Sequence, residues 1–140
     1  SSTEVYALLS ALSGIPLRQD ITVTGSVNQM GQIQPVGGIT EKVEGFFRIC
    51  SRLGLTGTQG VLIPKQNVRN LNLSRDVCAA VAEKTFAVYP IETIDDGIEI
   101  LTGKEAGVKQ DGTYPETSIN GIVENRLAEM AEQVRRFHHS

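Results

Sequence analysis

Val36-Gly37-Gly38-Ile39-Thr40-Glu41-Lys42-Val43 is the stretch on which the fold turns. A glycine pair closes a turn-rich link, and apolar residues then recur at Val43, Phe46, Phe47, Cys50 and Leu53. That spacing predicts an amphipathic helix with one buried stripe. Thr40 is the expected N-cap and Gly54 the expected stop. Upstream, residues 21–27 alternate, with Ile21, Val23 and Gly25 on one side and Thr22, Thr24 and Ser26 on the other. This is the period of a strand with one polar face. Downstream, Val61-Leu62-Ile63-Pro64 is a short apolar run of the kind buried on both faces of a sheet. The glycine pair therefore sits between two strands and opens the helix that joins them.

The same pattern continues outward. Residues 3–12 carry Val5, Leu8, Leu9 and Leu12 at helical spacing, ended by Ser13-Gly14 and Pro16. A turn at 28–31 leads to a short returning strand at 32–36. Residues 75–83 predict a helix with Val77, Cys78 and Val81 inward, followed by a strand at 85–89 and a helix at 94–101 stopped by Gly103. Residues 104–115 read as a polar loop. A last helix at about 118–137 carries the stripe Ile119, Ile122, Val123, Leu127, Met130, Val134 and Phe137. Strands alternating with helices predict a single α/β (α+β) domain, a mixed sheet with packed helices. Its body is expected at 1–103, with 104–140 as a C-terminal extension of the same domain.

The bulk numbers exclude several classes. The chain has 140 residues, enough for one domain with a real core. Thirteen basic against 16 acidic residues give a net charge of −3, and no basic face is evident, which argues against nucleic acid. No apolar run approaches the roughly 20 residues that cross a bilayer. No signal peptide is visible, which says little for a chain that can be a fragment; the expected location is cytoplasmic. Cys50 and Cys78 fall on apolar helix faces and read as buried free thiols. The terminal His138-His139 pair has no metal-site spacing with them, and reads either as native sequence or as an appended remnant.

Lys42 is the residue with chemical promise. A helix N-terminus disfavours positive charge, so an amine in the first turn is a candidate base. The Gly37-Gly38 pair admits another backbone closely, and Ile39 and Phe46 flank the lysine stem at i−3 and i+4. Glu41 and Glu44 oppose this if they face the amine. The ordinary alternative is a solvated surface lysine. A neutral amine serves as base for a hydroxyl nucleophile in Ser-Lys enzymes. Candidate hydroxyls are Ser1, Ser2, Thr3, Thr22, Thr24, Ser26 and Thr40. Thr24 is placed to orient the lysine, although a threonine also simply suits a strand. A phosphate cradle at the glycine pair is disfavoured because the G-x-x-x-x-G-K-[ST] pattern is missing. With both histidines at the C-terminus, no Ser-His-Asp set is credible.

Taken together, Ser1-Ser2-Thr3-Glu4 through Leu12, Gly14-Ile15-Pro16-Leu17-Arg18-Gln19, Ile21-Thr22-Val23-Thr24-Gly25-Ser26-Val27, Val36-Gly37-Gly38-Ile39-Thr40-Glu41-Lys42 and Val61-Leu62-Ile63-Pro64-Lys65-Gln66-Asn67 resemble the proteolytic domain of Lon proteases. The likeness spans about 1–103. The tail, with Gly112-Thr113-Tyr114-Pro115-Glu116, resembles the C-terminal extension of Lon-B-type bacterial homologues. The resemblance implies a Ser-Lys dyad serine protease. The family's lysine falls on Lys42 as general base, and its supporting threonine on Thr24. Its nucleophile belongs to a Gly-Asp-Ser-Ala-Ser motif whose second serine aligns with Ser1, so the nucleophilic serine is expected just upstream of this chain. On that alignment neither Ser1 nor Ser2 is the nucleophile, and the chain alone is expected not to cleave peptides. The resemblance also implies unfolded or damaged protein substrates, an ATPase module of the same polypeptide that binds ATP and Mg, and a hexameric ring. No cofactor is expected in this domain itself. The alternative is a non-catalytic Lon-like oligomerisation or interaction domain, against which the retention of Lys42 and Thr24 counts.

Overall fold

The structure is a computed structural model that describes residues 1–139. Its elements are α1 (Ser2–Ser13), β1 (Ile21–Val23), β2 (Ser26–Val27), β3 (Ile33–Gln34), α2 (Ile39–Leu53), β4 (Gly60–Pro64), a 3-10 helix (Lys65–Asn70), α3 (Arg75–Ala82), β5 (Ala87–Ile91), α4 (Ile94–Thr102) and α5 (Ile119–His139). β4 lies between β1 and β5, parallel to both, with Val23 beside Leu62 and Pro64 beside Ile91. Parallel neighbours need long crossovers. Here α2 makes the first and α3 the second. β2 and β3 pair antiparallel as a separate ribbon. The α/β reading therefore holds, with parallel and antiparallel pairing in two small sheets.

The core divides along β4, whose five residues are all buried. Successive side chains of a strand point to opposite faces. Leu62 accordingly joins Tyr6, Ile21, Ile91, Ile98, Leu101, Ile119 and Val123 on the side of α1, α4 and α5. Val61 and Ile63 join Ile39, Val43, Phe47, Val77 and Phe86 on the side of α2 and α3. Phe47 and Phe86 meet edge to face with centroids 5.2 Å apart. The chain is thus a helix–sheet–helix sandwich built around one apolar strand.

Several local expectations change. The alternating run at 21–27 breaks after Val23, because Gly25 takes φ +100° and turns the chain out of the sheet. A side chain at Gly25 would press on Pro64 and Ile33, with Cβ 3.0 and 3.1 Å from them, so glycine also permits a close approach here. The N-cap of α2 is Gly38, not Thr40, whose hydroxyl is used elsewhere. On α3 the inward residues are Val77 and Ala80, while Cys78 and Val81, expected inward, are exposed. Cys50 is a buried free thiol as expected, pushed up by burial and by the nearby Asp20 charge. On α1 the deepest apolar residue is Tyr6, and Leu8 is exposed. On α5 only the first turns reach the core, through Ile119 and Val123. Leu127, Met130, Val134 and Phe137 stay on the surface. No helix among the described residues is long and apolar enough to cross a membrane.

Candidate active site

Three segments carry the candidate residues. The first is the glycine pair itself. Gly38 adopts φ +67° and its carbonyl accepts the backbone N–H of Lys42 at 3.1 Å, which starts the helix ladder. Gly37 lies outside that ladder, and its carbonyl accepts the Lys42 Nζ at 3.1 Å. Lys42 is exposed, so its stem is not desolvated by Ile39 as the sequence suggested. Glu44 does not face the amine. Its carboxylate accepts from the backbone N–H and hydroxyl of Ser74 at 2.6 and 3.1 Å, and so holds the N-cap residue of α3.

The second segment, the 3-10 helix after β4, braces the glycine pair. Asn67 is buried, and its side chain acts as a substitute strand neighbour for Val36. It accepts from the Val36 N–H and donates to the Val36 carbonyl, both at 2.9 Å, and also donates to Asn70 Oδ1 at 3.2 Å. Thr40, freed from capping, donates to the Asn70 carbonyl at 3.2 Å and accepts from the Asn72 N–H at 3.1 Å. The start of α2 is therefore tied on both sides of Gly37-Gly38 to the chain that leaves β4.

The third segment is the end of β1. Thr24 is 8% exposed. Its backbone N–H and its hydroxyl both donate to the Leu62 carbonyl, at 3.1 and 2.7 Å. A hydroxyl has one proton and two lone pairs. With the proton committed to Leu62, Thr24 Oγ1 is left as an acceptor. No hydrogen bond joins Thr24 to Lys42 in this structure. The amine is turned back to Gly37. Next in sequence, Gly25 accepts from the Ser2 hydroxyl at 2.8 Å and from the Ser2 N–H at 3.4 Å, which fastens the first turn of α1 to the same strand end. Ser2 is fully buried, whereas Ser1, Thr3 and Ser26 are exposed.

The structure thus ties Thr24 and the first turn of α1 together at the end of β1, and shows Lys42 apart from them, bonded to Gly37 at the start of α2. Asn67 is a bracing residue the sequence reading passed over, and Ser2, weighed there only as a hydroxyl nucleophile, is an anchor of α1 instead. For Asn67 the only local signal is a polar residue in a segment that otherwise follows a buried strand.

A parallel α/β domain with a lysine at a Gly-Gly helix start and a buried threonine at the end of its first strand matches a known class. The Lon protease (S16) C-terminal proteolytic domain matches residues 2–103. A putative Lon protease homolog of Haemophilus influenzae is 42% identical over 130 residues, 92% of this chain and 22% of that protein. One of Escherichia coli is 40% identical over 136 residues, 97% of this chain and 22% of that protein. An archaeal Lon protease of Thermococcus kodakarensis is 42% identical over 94 residues, 67% of this chain and 13% of that protein. The chain belongs to the Lon protease family, in its C-terminal proteolytic domain. It spans about a fifth of the length of the two bacterial relatives, and the likeness to both runs on into α5.

Proposed function

We propose that this chain is the peptidase portion of an ATP-dependent Lon-type serine protease acting on unfolded or damaged proteins through a Ser-Lys dyad. The nucleophilic serine lies just before Ser1. Its Oγ attacks the scissile carbonyl while Lys42 Nζ takes its proton, and the same proton passes to the leaving amine. Water then hydrolyses the acyl-enzyme with Lys42 again as base. Nearby backbone N–H groups stabilise the oxyanion.

The observation that carries this reading is the state of the Thr24 hydroxyl. Its proton is held by the Leu62 carbonyl, so toward an amine it can only accept. Lys42 would therefore donate an N–H to Thr24 and keep its lone pair for the serine proton. To engage Thr24 the amine leaves Gly37, a rotamer change that an exposed lysine stem allows.

ATP and Mg belong to a separate module of the whole protein, in a cytoplasmic ring of six subunits. The residues here do not fit that group. The glycine pair lacks the phosphate-loop pattern. The test is peptide and casein hydrolysis by the full-length parent protein with and without Lys42→Ala. Equal activity in the two sinks the assignment.

A further inference from the structure

We infer that Ser2 is a positioning residue for the nucleophile, setting where the first turn of α1 stands relative to Thr24 and Lys42. The inference rests on the Ser-Lys reading above. Ser2 is the most deeply buried hydroxyl near the site, at 0% exposure. Its Oγ donates to the Gly25 carbonyl at 2.8 Å, and its backbone N–H reaches the same oxygen at a weaker 3.4 Å. Gly25 cannot drift to follow it. The residue before it is fastened twice to Leu62, and Pro64 and Ile33 stand so near that an added Cβ would lie 3.0 and 3.1 Å from them.

The chain of contacts is therefore short and stiff: Leu62 holds Thr24, Thr24 is bonded to Gly25, and Gly25 holds Ser2. Whatever precedes Ser1 is carried by the first turn of α1, and this hydroxyl sets its distance from the residue proposed to orient the base. The rest of α1 is fixed by packing of Tyr6, Val5 and Leu9 into the core, which sets the helix axis but leaves its N-terminal end to Ser2. In Ser2→Ala the Gly25 carbonyl keeps only the longer backbone contact, and the first turn is free to move.

A displacement of about 1 Å in a reacting group can cost on the order of 100-fold in rate. The test is steady-state peptide hydrolysis by the full-length parent protein, with thermal unfolding measured on the same samples. Ser2→Ala is expected to lower kcat about 10- to 100-fold with KM near the parent value, alongside a modest fall in melting temperature from the lost buried hydrogen bond. Ser2→Thr, which keeps the hydroxyl, is expected to recover most of kcat. An unchanged kcat in Ser2→Ala overturns the inference. So does a parallel fall of activity and melting temperature in both variants, which would make Ser2 a stability residue only. Lys42→Ala run alongside separates the two readings. Activity retained there removes the dyad itself, whereas activity lost there but retained in Ser2→Ala removes only the positioning role.

Discussion

Thr24 gives both of its protons to one acceptor: its N–H and its hydroxyl converge on the carbonyl of Leu62, at 3.1 and 2.7 Å. This makes the threonine an extension of the β1–β4 ladder whose hydroxyl oxygen is left only to accept. Thr24→Ser keeps the hydroxyl and is expected to keep most peptidase activity in the full-length parent. Thr24→Val keeps the shape and removes the acceptor, and its kcat is expected to fall about 10- to 100-fold through misplacement of the base. Equal rates for the two variants would remove Thr24 from the site.

Asn67 carries three side-chain hydrogen bonds that hold Val36 and Asn70. In Asn67→Ala the Val36 N–H and carbonyl lose their partners. The expected cost is roughly 1–3 kcal/mol of stability. Because the Gly37 turn follows Val36 directly, hydrogen exchange at Gly38 and Ile39 is expected to speed up more than exchange in β4. Uniform acceleration along the chain would show a global effect instead.

Gly97 stands under the ring of Tyr6. A Cβ there would lie 1.9 Å from the Tyr6 hydroxyl and 2.6 Å from the ring carbon that bears it. Gly97→Ala gains helix propensity, but overpacking of this kind costs about 1–3 kcal/mol. Chemical denaturation is expected to show a net loss. Tyr6→Phe in the same chain relieves only part of it, since the ring carbon remains in the way. Full additivity of the two substitutions would contradict this contact.

The Tyr6 hydroxyl is buried and has no hydrogen-bond partner among the described residues. Burial, then the charges of Asp96 and Asp95, hold its pKa well above the ordinary tyrosine value. Above about pH 10 the unfolded chain loses this proton while the folded one keeps it. Stability therefore drops as pH rises past that point. The melting temperature of Tyr6→Phe relative to the parent chain is expected to rise between pH 9 and about pH 11. A constant difference across that window would mean that Tyr6 ionises freely in the fold.

Much of the fold is legible in the sequence because periodicity reports it directly. The stripe Val43, Phe46, Phe47 and Cys50 places α2, and the unbroken apolar run at 61–64 places the central strand. Where the reading slips, the cause is local. Residues 21–27 keep alternating through a break that only Gly25 signals. The eight residues of α3 offer too few points to fix its inward face, so Cys78 is put inside when Ala80 is. The site is legible by type and only partly by contact. Lys42 and Thr24 stand out through their neighbours in the chain. Asn67 and Ser2 act through partners 31 and 23 residues away, which no local pattern encodes.

The central claim is that Lys42 activates a serine just ahead of Ser1. The most direct measurement is mass spectrometry of the full-length parent after reaction with a fluorophosphonate, beside the same reaction on Lys42→Ala. The account predicts one adduct, on the serine two positions before Ser1, formed in the parent and slowed by about 100- to 10,000-fold without the lysine. An adduct elsewhere, or one that forms equally fast in Lys42→Ala, would contradict it.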